Sequence, residues 1–379
     1  MNLDLLGVDS VNGIPTCADS HLLDTILRKH WKFDADEQWI TSDCDSISNI
    51  YLPHGYAKTP EEAVAYALNA GVDVDCGAYY QMHLGKAIEQ GLTNESVVDK
   101  AIVRQYSSLI TLGYFDPPED QPYRALSWSD VDKKSSRDLA YKAAVEGIVL
   151  LKNDGLFPLK LKNGTSIALI GDWANATRQM QGNYLGRPPY LISPLLALEQ
   201  ESGITVNYAY GCGSPSDPRT DEWKPAFDAA EKSDLIIYVG GVDNEIEAEG
   251  RDRNHLSWGP AQIDLMQHLA SLGKPMAVMQ MGGGQLDSTW IKDDDRIGAL
   301  LWGGYPGQSG GKALFDIAFG HVAPAGRLVT TQYPSSYAGQ VSMLDMSMRP
   351  SRATPGRTYM WYNGPAPYSF GKHMRSVRR

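Results

Sequence analysis

Several absences narrow this sequence before any motif is read. No uninterrupted apolar stretch approaches the roughly 20 residues that a membrane-spanning helix needs. Basic residues are in deficit, 34 Lys and Arg against 45 Asp and Glu, and a net charge of −11 repels phosphate backbones and anionic bilayers. Neither nucleic acid nor a membrane is an expected partner. Cysteine is scarce: Cys17, Cys44, Cys76 and Cys212 contain no C-x-x-C pair, which excludes a zinc knuckle or a thioredoxin-like motif and leaves one or two disulfides open. Histidines lack metal-ligand spacing, so no metal and no cofactor is expected. The opening, MNLDLLGVDSVNG, has neither a basic n-region nor a long apolar h-region, and no signal peptide is visible in it. Three Asn-x-Ser/Thr sequons, at Asn94, Asn163 and Asn175, lean the other way, towards secretion.

What is present reads as folded. Hydrophobic residues at 42% and charged residues at 21% match an ordinary globular chain, and 379 residues predict two domains. The first third alternates short apolar runs with capped helices, the pattern of βα units in a parallel sheet. Trp39-Ile40-Thr41 reads as a strand running into Ser42 to Asp45, and residues 72–77 as a second strand with carboxylates near its end. Thr59-Pro60-Glu61-Glu62 supplies an N-cap, a first-turn proline and an acidic first turn for a helix that Gly71 ends; a second helix spans about Glu95 to Leu112. From Phe115 to Trp128 prolines replace periodicity, and residues 115–139 read as a linker. Residues 140–372 then form a second α/β domain with buried strands at 166–171, 234–241, 275–282 and 297–304, separated by helices at Ala261–Leu272 and Lys312–Phe319. The basic ending, 373–379, reads as a solvated tail.

Three motifs resemble catalytic signatures and fail on context. Gly307-Gln308-Ser309-Gly310-Gly311 satisfies the nucleophile-elbow pattern between a strand and a helix, yet the required downstream histidine is missing: His321 follows too soon and His373 sits in the tail. Ser309 is expected to cap the helix instead. Gly310-Gly311-Lys312 imitates the end of a P-loop but lacks its first glycine and its Ser/Thr. Gly282-Gly283-Gly284 reads as a tight strand-to-loop turn rather than an anion nest. Carboxylates remain: Asp43 and Asp45 at one strand end, and the run Asp243 to Arg253 beyond another, where open α/β sheets place ligands.

The stretches WITSDCDS (39–46), AGVDVDCG (70–77), LGYFD (112–116), AVEGIVLLKND (144–154), EAEG (247–250) and LWGGYPGQSGG (301–311) resemble glycoside hydrolase family 3. The Cys44 following Asp43 is similar to its fungal β-xylosidase branch, the other branch generally having tryptophan there. The resemblance runs from about Val11 to Gly371. It implies an α/β fold in which the C-terminal part of a TIM-like barrel (residues 1–114, carrying the nucleophile) precedes an α/β sandwich (residues 140–372, carrying the acid/base). It implies a retaining exo-β-glycosidase that releases β-D-xylose from non-reducing ends of xylo-oligosaccharides and is secreted. The nucleophile maps onto Asp43 and the general acid/base onto Glu249, with Glu247 as rival; Asp45, Tyr184 and Arg253 map onto substrate contacts. Retention requires carboxyls about 5–5.5 Å apart with split pKa values. Burial or negative neighbours such as Glu245 and Glu247 are expected to keep the acid protonated.

A complete TIM barrel takes about 250 residues, so the barrel reads as incomplete and the chain as N-terminally truncated. The upstream strands that grip the glycone have no counterpart, and Gly7-Val8-Asp9 stands where relatives place a tyrosine. That shortfall predicts impaired turnover by this chain alone. Two other readings stand beside the glycosidase: an ester hydrolase using Ser309, and a non-catalytic carbohydrate-binding remnant.

Overall fold

The computed structural model describes residues 10–11, 13–212, 223–342, 345 and 347–374. The departure at residues 7–9 and residues 375–379 of the tail lie outside these described residues; the tail's start is not solvated as read, because Met374 packs against the core and its N–H donates to the Leu150 carbonyl at 3.0 Å. The chain divides into two compact units, residues 1–128 and 129–379.

The first unit opens with a two-residue hairpin, Ser10–Val11 (β1) and Ile14–Pro15 (β2), and a π-helix over His21–His30. Helices Ser46–Tyr51 (α1), Pro60–Ala70 (α2), Tyr79–Glu89 (α3) and Glu95–Thr111 (α4) follow. The α2 start is chemically fixed: the Thr59 hydroxyl accepts from the Glu62 N–H at 3.1 Å, while the Glu62 carboxylate returns to the Lys58 N–H at 2.7 Å. Gly71, at φ 114°, ends it in a conformation that glycine adopts without penalty. Ala63, Val64 and Ala67 of α2 pack with Ile47, Ile50 and Val72 in one small core.

The two strands read around residues 39–41 and 72–77 contract to a single parallel bridge, Thr41 to Val74. A parallel pair without further neighbours gains little from its slanted bonds. A buried ion cluster does the holding. Asp73, its side chain 2% exposed, pairs with Arg28 at 2.6 Å and Arg104 at 2.8 Å and accepts from the Ile40 N–H at 2.9 Å. Arg28 also donates to the carbonyls of Phe33, Gln38 and Gly71, so its buried charge is paired and hydrogen-bonded.

The second unit contains Lys134–Gly147 (α5), Val149–Asn153 (β3), Thr165–Ile170 (β4), Pro194–Glu199 (α6), Ile204–Ala209 (β5), Trp223–Glu231 (α7), Leu235–Gly241 (β6), Pro260–Ser271 (α8), Met276–Met281 (β7), Thr289–Asp293 (α9), Ala299–Gly304 (β8), Gly310–Phe319 (α10) and Thr358–Trp361 (α11). The four strands expected from apolar runs appear within two residues of their expected bounds. β3 and β5 add two edges that the sequence reading lacked. The sheet order is β3-β8-β7-β6-β4-β5, parallel except for the β3–β8 pair. Alternate residues feed opposite cores: Ile167 and Leu169 pack with Trp173 and Phe315, whereas Ala168 and Ile170 pack with Trp258 and Leu265. Both faces are covered, which is why the central strands read as unbroken apolar runs. Helix α5 begins inside the segment read as a linker, because its first turns are polar and only Ala144 and Val145 are buried. Among the described residues no helix is long and apolar enough to cross a membrane.

Candidate active site

In the first unit, Asp43 sits on an exposed loop that is fastened at both sides. The Ser42 N–H donates to the Val74 carbonyl at 2.9 Å, the Ser42 hydroxyl accepts from the Cys76 N–H at 3.0 Å, and the Asp45 N–H donates to the Cys76 carbonyl at 2.7 Å. A disulfide joins Cys44 to Cys76 across a separation of 32 residues. Closing a loop of that length restricts the unfolded chain by about 3–4 kcal/mol in the chain-entropy account. The sequence left this pairing open. Asp43 Oδ1 accepts from the Cys44 N–H at 2.7 Å, which orients the carboxylate on its own loop. Asp45 takes a left-handed φ of 62°, and its Oδ1 lies only 2.7 Å from where a Cβ on Gly77 would stand, so a side chain at position 77, already strained by a φ of 152°, would displace the Asp45 carboxylate.

In the second unit the sheet has a switch point. The connection after β4 runs outward to β5, and the chain then returns to the other side of β4 to make β6. Connections leaving neighbouring strands in opposite directions open a crevice at their carboxyl ends. Gly171 and Gly241 begin the diverging loops, where an added Cβ would meet the Val239 carbonyl oxygen at 2.1 Å and the Met281 carbonyl oxygen at 2.0 Å. Asp172 and Asp243 follow them. Asp172 is buried, and that burial, reinforced by the charge of Asp243, pushes its carboxyl well above the usual range; backbone N–H groups and Gln262 Nε2, at 3.3 Å, act in the opposite direction. A cavity of about 670 Å³ opens here between the loop at Arg178–Leu185 and the loop at Asp243–Arg251.

The two rival glutamates have different fates on this loop. The Ala248 and Arg251 backbones bond to each other in both directions, at 3.1 and 2.9 Å, and close a four-residue turn with Glu249 and Gly250 at its tip. Gly250 has φ 72°, the conformation that the third residue of such a turn can require. Glu249 is exposed and lines the cavity. Glu247 points into the protein: Oε1 accepts from the Gly284 N–H at 2.6 Å and Oε2 from Arg253 Nε at 2.7 Å. Arg253, 9% exposed, also donates through Nη2 to the Gln285 carbonyl at 3.0 Å. These bonds brace the loop, and the remaining Nη1 of Arg253 is buried without a hydrogen-bond partner among the described residues. The glycine run at 282–284 makes a turn whose last N–H holds an anion belonging to this same chain, the Glu247 carboxylate. A Cβ at Gly284 would fall 2.3 Å from Glu247 Oε2.

Other sequence expectations find their places around this centre. Tyr184 lies on the opposite wall, 83% exposed and at a left-handed φ of 52°. The sequence expected burial or negative neighbours around the acid; the structure exposes Glu249, and of those neighbours Glu247 is paired with Arg253. Ser309 does occupy the N-cap position of α10, but its side chain makes no capping bond. Its hydroxyl lies 3.3 Å from the Tyr190 hydroxyl instead, with 3% of the residue exposed. No signal in the residue pattern marked Gly284 or Asp73 as the partners of charged groups; their roles arise from contacts across 37 and 45 positions.

Comparison with known proteins agrees with this architecture. Residues 4–107 match the glycosyl hydrolase family 3 N-terminal domain, and residues 148–375 match the glycosyl hydrolase family 3 C-terminal domain. The chain belongs to glycosyl hydrolase family 3. It is 52% identical over 371 residues to a probable exo-1,4-beta-xylosidase, xlnD, of Neosartorya fischeri, an alignment covering 98% of this chain and 48% of that protein. The exo-1,4-beta-xylosidase xlnD of Emericella nidulans is 49% identical over 365 residues, 96% of this chain and 45% of the relative. Among solved structures, a GH3 exo-beta-xylosidase, XlnD, in complex with a xylobiose aziridine activity-based probe superposes with a TM-score of 0.90 at 48% identity, covering 96% of this chain and 47% of the other. A beta-glucosidase from Listeria innocua in complex with isofagomine gives 0.71 at 27% identity, over 84% of this chain and 44% of the other. The chain spans about half the length of the curated relatives it matches.

Proposed function

We propose that this chain acts in a retaining exo-β-xylosidase, removing β-D-xylose from the non-reducing ends of xylo-oligosaccharides. In this reading the first unit is part of a (β/α) barrel, the second is the α/β sandwich of the family, and the segment from residue 115 to the start of α5 at Lys134 connects them. The observation that carries the catalytic assignment is the contrast at 247 and 249. One glutamate has both oxygens engaged by Gly284 and Arg253, and the other stands exposed at a turn tip in the switch-point crevice.

The chemistry follows from two carboxyls with different tasks. Asp43 attacks the anomeric carbon while Glu249 gives its proton to the leaving oxygen, so the glycosidic bond breaks as a carbon–oxygen bond to Asp43 forms. Glu249, now ionised, takes a proton from water, the resulting hydroxyl attacks the same carbon, and Asp43 departs as carboxylate. Tyr184 and Asp45 contact sugar; Arg253 acts through Glu247. Secretion is part of the same proposal. The Cys44–Cys76 disulfide suits an oxidising compartment, and the asparagines of all three sequons are exposed.

Incubation with a 2-deoxy-2-fluoro-β-xyloside bearing a good leaving group tests the assignment, because the fluorine slows breakdown of the covalent intermediate. A xylosyl adduct on the peptide containing Asp43 is the expected result. An adduct on another carboxylate rejects Asp43 as nucleophile, and an adduct on Ser309 with an aryl ester points to the esterase instead.

A further inference from the structure

We propose that the C-terminal arm of the second unit carries a binding platform for an acidic glycan chain, a β-linked xylan bearing uronic acid side groups. The choice of a xylan backbone rests on the function proposed above; the platform itself rests on different residues. Tyr359 and Phe370 stack with ring centroids 4.3 Å apart and planes within 21°, yet remain 62% and 45% exposed. Each ring covers one face of the other, and the pair leaves aromatic surface turned to water, with Met360 beside it at 60% exposure. Isolated apolar residues on a surface are ordinary, whereas contiguous exposed aromatic surface is where recognition sites concentrate.

The platform is built rather than accidental. Thr358, a β-branched residue, is held at φ 60° immediately before Tyr359, a conformation such residues enter only at a cost. Its N–H donates to the Tyr333 hydroxyl at 2.7 Å. Tyr333 stacks on Tyr337 at 3.9 Å, and Tyr362 meets both edge-on at 4.8 and 5.3 Å. Tyr337 ties the preceding turn by donating to the Gly356 carbonyl at 3.0 Å. Three packed tyrosines therefore fix the short helix α11 that presents Tyr359 and Met360.

Charge selects the occupant. In a chain of net −11, the described residues 347–374 carry four Lys and Arg and no Asp or Glu. Arg349 lies over the Trp361 ring at 4.4 Å, two residues from Tyr359, and exposed Lys372 follows Phe370 by two. Pyranose rings present C–H faces to aromatics, and guanidinium and ammonium groups bind carboxylates. Aromatic faces with a cationic rim thus fit a sugar chain that bears carboxylates better than a neutral one.

Native electrophoresis of the full chain through gels containing glucuronoxylan, neutral arabinoxylan or dextran sulfate tests this. Retardation is expected in glucuronoxylan, weaker retardation in arabinoxylan, and a smaller difference between the two as salt rises. Tyr359→Ala should weaken retardation about five- to tenfold with the melting temperature unchanged, and Tyr359→Phe should preserve it. Arg349→Gln, a second variant far from the core, should abolish the preference for glucuronoxylan. No retardation of the wild type, equal retardation in both xylans, or unchanged retardation in folded Tyr359→Ala overturns the proposal; equal retardation by dextran sulfate shows an unselective cation patch and also overturns it. Hydrolysis of an aryl xyloside by the same preparations is read separately. Activity without retardation rejects the platform alone, and retardation without activity leaves the platform standing.

Discussion

At the scale of single residues, the two neighbouring glutamates should respond oppositely to the same change. Glu249→Gln is expected to lower hydrolysis of an unactivated xyloside about 10²- to 10⁴-fold, the range for a lost general acid, with little change in melting temperature. Glu247→Gln is expected to lower the melting temperature, at a cost on the order of 1–3 kcal/mol, because the buried Arg253 loses its charged partner. Asp172 offers a test with a definite sign. Its carboxyl is raised by burial and by Asp243, so above the unfolded carboxylate range the folded state holds a proton that the unfolded chain releases, and stability is reduced there. Asp172→Asn should therefore raise the melting temperature at neutral pH, and the gain should fade as pH falls below about 4. The exposed carboxylates Asp43 and Glu249 were picked out by short motifs. Glu247 as a brace was not, because its partner Gly284 belongs to a glycine run whose anion lies 37 positions away.

At the scale of elements, helix α5 and helix α10 meet at one carboxylate. Asp316 accepts from the Tyr141 hydroxyl, from Lys312 at 2.5 Å and from His321 at 3.2 Å. Burial alone would raise this carboxyl, but the bonds from Lys312, Tyr141 and His321 outweigh it and hold the group below its ordinary value. A depressed carboxyl contributes stability above the unfolded pKa and loses it as pH falls through the folded one. Melting temperatures measured from pH 6 down to pH 2.5 should accordingly fall less steeply in Asp316→Asn than in the wild type. The central strands were readable because both their faces are covered, so apolar runs survive in the sequence. The edge strand β5 mixes exposed and half-buried positions, and the first-unit strands shrink to one bridge, so their signals were diluted by polar residues such as Asn207 and Asp73.

At the scale of the whole molecule, two units with separate cores share one chain, and the segment between them is studded with exposed aromatics. Tyr123 is 82% and Trp128 88% exposed. Brief treatment with chymotrypsin should cut between Tyr114 and Trp128 before other sites and leave a fragment starting near residue 129 that resists further digestion. First cuts inside the six-stranded sheet would contradict the two-unit division. Domain number was legible from length and from the proline-rich interruption. The start of α5 inside that interruption was hidden by its polar first turns.

The reversal at residues 248–251 has a consequence for redesign. A carboxyl mounted on a closed hairpin tip has a fixed reach, and Glu249→Asp shortens it by one methylene, ~1.5 Å, with no slack in the backbone to make up the gap. Insertion between Ala248 and Arg251 would unlatch the hairpin and displace the Glu249 carboxyl. The facing wall at Gly182–Leu185 can be recarved while the hairpin stays untouched.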